Sequence, residues 1–189
     1  MSSEPVYPPG CLAVLSGDLL RYVDFAKSWH RTLTPPGSDT YWSKGCEKVQ
    51  GRNNAVAAML SRPDFQWLFF LDDDQTWEPD HLMHLLALAY GDPGFDVIGS
   101  LYCTKHPPFD PVGGLFFKDQ YRALTWGDLP RFQKTWTDAR LALGTGGLLI
   151  KRAVFDKMPP PWFEVGQVRT DKEHEDLYFS TKAHRLGVT

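Results

Sequence analysis

Apolar positions along this chain fall into short unbroken blocks separated by stretches of helical period. Cys11-Leu-Ala-Val-Leu15 has no polar break, as expected of a strand covered on both faces. Ser16-Gly17-Asp18 ends it. From Leu19, apolar residues recur at Tyr22, Val23, Ala26 and Leu33, a spacing that predicts a helix ended by Pro35-Pro36-Gly37. A second helix is predicted from about Arg52 to Ser61 through Ala55, Val56, Ala58 and Met59, with Pro63 as its stop. Trp67-Leu-Phe-Phe-Leu71 is the clearest strand, and it runs directly into Asp72-Asp73-Asp74. Pro79 reads as a first-turn proline for a helix through Leu82, Leu85, Leu86 and Ala89.

Further strands are predicted over 96–102, 112–117 and 146–150, and a last helix over 175–186 with Gly187 after it. Residues 118–143 lack periodicity and predict an irregular insertion, and residues 159–174 predict a loop. Strands alternating with helices imply an α/β fold: one domain over 1–189, with a mostly parallel central sheet and helices on both faces. In such sheets ligands collect at the carboxyl ends of the strands, which here means the aspartate triplet.

Composition narrows the function classes. The 189 residues carry a net charge of −3, against the strong basic excess of a dedicated nucleic-acid binder. Cys11, Cys46 and Cys103 form no CxxC pair, so reduced thiols and a cytoplasmic protein are expected rather than a disulfide framework or zinc ribbon. The N-terminal MSSEPVYPPG has neither the basic nor the apolar region of a signal peptide, and no apolar run has the length of a membrane span.

Adjacent carboxylates repel one another, and a cation or a hydrogen-bond donor relieves that repulsion. Their hard oxygens suit Mg²⁺ or Mn²⁺, and a divalent ion held by Asp72 and Asp74, with Asp73 turned away, can bridge the phosphates of a nucleoside diphosphate. The plain alternative is a solvated acidic turn capping the next helix. Near the other end, Glu173-His174-Glu175-Asp176 offers carboxylates suited to general-base work, or simply acidic residues opposing the positive end of a helix dipole. His81 and His84, at i and i+3 on a predicted helix, lack the HExxH context of a zinc site and read as packing or surface residues. His106 and His174 fall in loops that can reach the acidic turn, as candidate third ligands.

The Trp67–Leu71 strand with the triplet and Pro79-Asp-His-Leu-Met-His-Leu-Leu86 resembles the DxD segment of GT-A-fold glycosyltransferases of the family 2 kind, in its phage and bacterial form. Gly51-Arg52-Asn53-Asn54-Ala55 resembles the Arg-Asn helix start that precedes it. Asp96–Tyr102 with Lys105-His-Pro-Pro-Phe109, Leu143–Arg152, and Pro161-Trp162-Phe163 followed by Glu175-Asp176 resemble later segments, in the family's order across about residues 11–187. The resemblance implies a metal-dependent transfer of a sugar from a nucleoside-diphosphate sugar to an acceptor such as a glycan, protein, small molecule or modified nucleobase. It implies a role for each matched residue. Asp72 contacts the ribose or the metal and Asp74 is the main metal ligand. Arg52 faces the donor nucleotide or its phosphates. Ser16 and Gly17 line the base pocket, and Gly146 and Gly147 admit a sugar. Asp176, with Glu175 beside it, is the general base of an inverting reaction. Members of the family usually continue into another strand, often carrying a metal-site His, where this chain stops at Val188-Thr189, so a truncated or minimal form is expected.

Two other readings compete. Asp72-x-Asp74-x-Thr76 after an apolar strand fits the nucleophile motif of haloacid-dehalogenase-like phosphohydrolases, although Trp77-Glu78-Pro79 continues it poorly. A non-catalytic nucleotide-sugar-binding module is the third.

Overall fold

The computed structural model describes residues 6–16, 22–91, 94–117, 120–131, 135–165 and 174–188. In chain order the elements are strand β1 (Cys11–Ser16), helix α1 (Val23–Arg31), β2 (Asp39–Lys44), α2 (Lys48–Leu60), β3 (Trp67–Asp72), α3 (His81–Tyr90), β4 (Val97–Gly99), β5 (Gly113–Phe117), β6 (Gln120–Ala123), a 3-10 turn (Trp126–Asp128), β7 (Leu141–Leu143), β8 (Gly147–Lys151), α4 (Arg152–Lys157) and α5 (Glu175–Arg185).

A five-stranded sheet in the order β2-β1-β3-β8-β4 forms the centre. β1 pairs in parallel with β2 and β3, and β8 runs antiparallel between β3 and β4. The α/β architecture and mostly parallel sheet are thus as the pattern of apolar blocks implies.

Period-2 alternation divides the core. Cys11, Ala13, Leu15, Leu68, Phe70, Leu148 and Ile150 face one side, where Ala55, Val56 and Met59 of α2, Val154 and Phe155 of α4, and Phe179 and Ala183 of α5 cover them. Leu12, Trp67, Phe69, Leu71 and Leu149 face the other, under Leu82, Leu85, Leu86 and Ala89 of α3, with Trp29 of α1 packed against them. Helices therefore cover both faces. Trp67 lies flat against a residue that must be small: a Cβ on Gly10 would come within 2.2 Å of the indole.

The structure departs from the sequence reading in several places. β2 falls in a stretch given no element by apolar periodicity; its Thr40-Tyr41-Trp42 centre is rich in β-branched and aromatic residues, which favour strands. Residues 118–143 are not irregular throughout. β6 and β7 flank β5 in a second, antiparallel sheet of order β6-β5-β7. β5 belongs to that sheet and not to the central one. Pro79 precedes α3 rather than entering its first turn, and Asp80 is the N-cap. α2 begins four residues before Arg52, at Lys48. No helix among the described residues is long and apolar enough to cross a membrane, and Cys11, Cys46 and Cys103 form no disulfide.

Candidate functional site

Strand alternation decides where Asp72 points. It pairs in register with Leu15 and follows Leu71, so it lies on the face of Leu68 and Phe70. That face carries α2 and α5. On α2, Arg52 belongs to the same buried stripe as Ala55, Val56 and Met59. On α5, Glu175 stands one and two turns before Phe179 and Ala183, both buried. The three side chains meet. Arg52 Nη2 donates to Asp72 Oδ1 at 3.4 Å and its Nε donates to Glu175 Oε1 at 3.2 Å. The guanidinium stacks on Phe70, 5.4 Å from the ring centre. The Arg52 side chain is 3% exposed, and its Nη1 is buried with no hydrogen-bond partner.

Two neighbouring carboxyls on α5 titrate in opposite directions. Burial pushes Glu175 up, but the Arg52 guanidinium, hydrogen bonds and Lys48 outweigh it and hold the group below its ordinary value. Burial and then the charge of Glu175 push Asp176 above its ordinary value, against its bond from the Leu177 N–H at 2.8 Å and the distant pull of Arg52. Glu175 is thus an ion-paired anchor. Asp176 is a carboxyl whose charged form is strained, the usual condition of a group that accepts protons.

Gly146 precedes and Gly147 begins β8, close to the strand read over 146–150, and the structure sets both beside the aspartate turn. A Cβ on Gly146 would sit 2.4 Å from Gln75 Nε2, 2.7 Å from Asp72 Oδ2 and 3.0 Å from the Tyr102 hydroxyl. A Cβ on Gly147 would meet the Ser100 side chain at 2.9 Å. Ser16, buried, ends β1 on the same edge of the sheet. Gly17 lies outside the described residues.

The turn after Asp72 closes through the Gln75 N–H donating to the Asp72 carbonyl at 3.4 Å. Asp74 forms an ion pair with Lys105, which raises the lysine above its ordinary value; the Asp72 charge adds to that rise. The two carboxylates thus have different partners in this state: Arg52 for Asp72, Lys105 for Asp74. Among the described residues, His174, Glu175 and Asp176 bring three ligand-type atoms within 4.8 Å of one another. One of the three, Glu175, is committed to Arg52. His106 is exposed, and its carbonyl accepts from the Phe109 N–H. His81 bonds to Ser100 Oγ at 2.7 Å and shares a cavity with Gln75, Tyr102 and Gly147, and burial depresses its pKa.

Three site residues had no role in the sequence reading. The Tyr102 hydroxyl accepts from the Gly146 N–H at 3.1 Å. Burial, with Asp72 and Asp176 nearby, pushes its pKa up. Gln75 flanks Gly146, and Lys105 pairs with Asp74. Tyr102 closes an apolar run and Lys105 sits in a Pro-rich segment; neither spacing marks a contact with the triplet. Tyr121 of β6 also stands near Asp176, so the second sheet walls one side of the site.

No family model matches the chain, and comparison with curated proteins finds no relative. Among solved structures, the crystal structure of A197 from STIV is similar, with a TM-score of 0.60 and 20% sequence identity, over 94% of this chain and 78% of that one. At that identity the likeness concerns the α/β fold alone.

Proposed function

We propose that the chain is a metal-dependent glycosyltransferase of the GT-A kind, taking a sugar from a nucleoside-diphosphate sugar. The observation that carries this is the joining of Asp72, Arg52 and Glu175 at the carboxyl end of β3, with the strained carboxyl of Asp176 next to them. Brought together there are segments that resemble the family's DxD, Arg-Asn and Glu-Asp motifs, which lie far apart in the chain.

The chemistry of the donor set suits a divalent ion. Asp72 Oδ2 and the Asp74 carboxylate are hard donors, and the Lys105 ammonium on Asp74 marks that side as one that accepts positive charge. Asp72 and Asp74 would hold Mn²⁺ or Mg²⁺, which when bound supplies charge neutralisation at the diphosphate. Arg52 does not face the donor in this reading, because it is buried beneath Asp72; it holds Asp72 Oδ1 so that Oδ2 stays turned toward Gly146. Gly146 and Gly147 leave room for the sugar, and Ser16 lines the nucleoside side. In a direct displacement, the bond from the anomeric carbon to the diphosphate breaks with its electron pair going to the diphosphate oxygen. The acceptor oxygen bonds to that carbon, and its proton passes to Asp176.

A thermal-shift screen of UDP-, GDP- and TDP-sugars with and without Mn²⁺, followed by a release assay for free nucleoside diphosphate, tests the reading. A Mn²⁺-dependent shift with turnover is expected. A Mn²⁺-dependent shift without turnover, to any acceptor or to water, leaves a binding module in its place. Absence of any shift overturns the reading.

A further inference from the structure

Residues 101–112 form an arm rather than a wandering loop. The Val112 N–H donates to the Tyr102 carbonyl at 2.8 Å, the Thr104 N–H donates to the Asp110 carbonyl at 2.9 Å, and Cys103 and Pro111 form an antiparallel bridge between them. Thr104 Oγ1 and the Phe109 N–H both donate to the His106 carbonyl, closing the tip. The base of the arm is fixed to the site, because Tyr102 carries the hydrogen bond from Gly146. Its outer part, from Cys103 to Phe109, is exposed. From that exposed part Lys105 reaches back to Asp74, with its side chain 62% in solvent.

This puts a single ammonium on the carboxylate that the proposed reaction needs for a divalent ion. Two cations on one carboxylate repel each other, so an arriving divalent ion and the Lys105 ammonium compete for Asp74. The lysine is long, exposed and carried on an arm of fixed base, so its side chain can leave at little cost. The anion that arrives with the divalent ion is the diphosphate, and an ammonium is a good point-charge partner for phosphate.

Building on the transferase reading, we infer that Lys105 is an exchanging ligand of the donor diphosphate: it guards Asp74 while the site lacks a cation, and moves from Asp74 to the phosphates when the cation and diphosphate bind. In the transfer step the electron pair of the breaking sugar–oxygen bond comes to rest on the terminal diphosphate oxygen. Lys105 stabilises that charge as an ammonium and gives up no proton, since the one proton released goes from the acceptor hydroxyl to Asp176. Among the described residues Arg52 also contacts the aspartate turn, but it cannot take this part: it is buried and already bonded to Asp72 and Glu175.

The inference predicts effects of opposite sign from one substitution. Calorimetry on the full chain would measure Mn²⁺ alone, then pyrophosphate in saturating Mn²⁺, a probe that needs no knowledge of the base or sugar. In Lys105→Ala, Mn²⁺ binding to the diphosphate-free protein should tighten by about two- to fivefold, the scale of an exposed ion pair removed. Pyrophosphate binding should weaken by about tenfold or more, the scale of a lost charged hydrogen bond. Lys105→Arg should restore pyrophosphate binding to within about threefold of wild type. The thermal midpoint of Lys105→Ala without ligands should stay near wild type, because the residue is exposed. A Lys105→Ala protein in which Mn²⁺ and pyrophosphate binding both stay unchanged, or both weaken, overturns the exchange while leaving the transferase reading standing. A wild-type protein that binds no Mn²⁺ overturns both.

Discussion

Asp176 and Glu175 are neighbours in sequence and opposites in physics. Glu175 is held below its ordinary value of 4.5, so its pairing with Arg52 contributes stability that is complete above that value and lost as the pH falls through the lower folded value. Asp176 is held above its ordinary 3.8. Its ionised form is the disfavoured one, so a cost to stability builds as the pH rises past the ordinary value and is complete above the higher folded value, and acid relieves it. Glu175→Gln should therefore destabilise by about 3 kcal/mol, since it strips a buried guanidinium of one of its two charged partners, the other being Asp72. Asp176→Asn should leave the thermal midpoint no lower than wild type, while transfer slows by about 10²-fold or more. Thermal melts and transfer rates on both variants check this, and equal losses of stability would defeat the division of roles. The wild-type rate should also have an acid limb above pH 3.8, and a rate that stays flat through the limb would remove Asp176 as the base. At Gly146, the methyl of Gly146→Ala would collide with Asp72 Oδ2 and Gln75. We expect Mn²⁺ affinity to fall at least about tenfold with the fold intact, the scale of a displaced charged ligand; calorimetry beside circular dichroism separates the two effects.

Among the elements, α2 does two jobs with adjacent residues. Arg52 gathers the charges, while Asn53 pins the Pro161-Trp162-Phe163 segment. Asn53 Oδ1 accepts the N–H groups of Trp162 and Phe163 at 3.0 and 3.1 Å, and its Nδ2 donates to the Phe163 carbonyl at 2.7 Å and the Val49 carbonyl at 3.0 Å. This anchors Phe163, which stacks on Phe179 of α5 with ring centres 5.0 Å apart. The chain from α2 through Phe163 to α5 thus fixes the helix that carries Glu175 and Asp176. Asn53→Ala leaves two backbone N–H groups without their acceptor and should cost about 2–3 kcal/mol. It should also raise the rate of proteolysis near 161–163. A melt indistinguishable from wild type would show that the segment is held by packing alone.

For the whole molecule, the proposed function requires a chain of net charge −3 to take up a diphosphate. The proposed site gathers the carboxylates of Asp72, Asp74, Glu175 and Asp176 against the cations Arg52 and Lys105, so a polyanion meets an excess of negative charge until a further cation is added. Mn²⁺ and a nucleoside diphosphate should therefore stabilise the protein together far more than the sum of each alone. At concentrations about a hundred times the dissociation constant, the gain is about 2.7 kcal/mol, which in a chain of this size moves the midpoint by about 5–10 °C. Chelation should abolish the gain. A nucleotide-induced shift that survives chelator would mean that the acidic turn holds no cation.

The sequence by itself determined most of the central layer, β1, β3, β4 and β8 with α1, α2, α3 and α5, because burial on both faces leaves unbroken apolar runs and one-sided burial leaves helical spacing; β2 and α4 carried no such signal. It also placed the aspartate turn at a strand end, where α/β sheets collect ligands. Tertiary structure alone decided what those residues meet. Arg52 and Glu175 are 123 residues apart, and no local period reports such a contact. It also turned Arg52 inward, because strand parity put Asp72 on the face that α2 covers. The second sheet escaped the sequence reading for a related reason: β6 and β7 are short and partly exposed, so they carry too few apolar positions to show a period. Their order comes from pairing with β5, a contact between strands and not a property of any one of them.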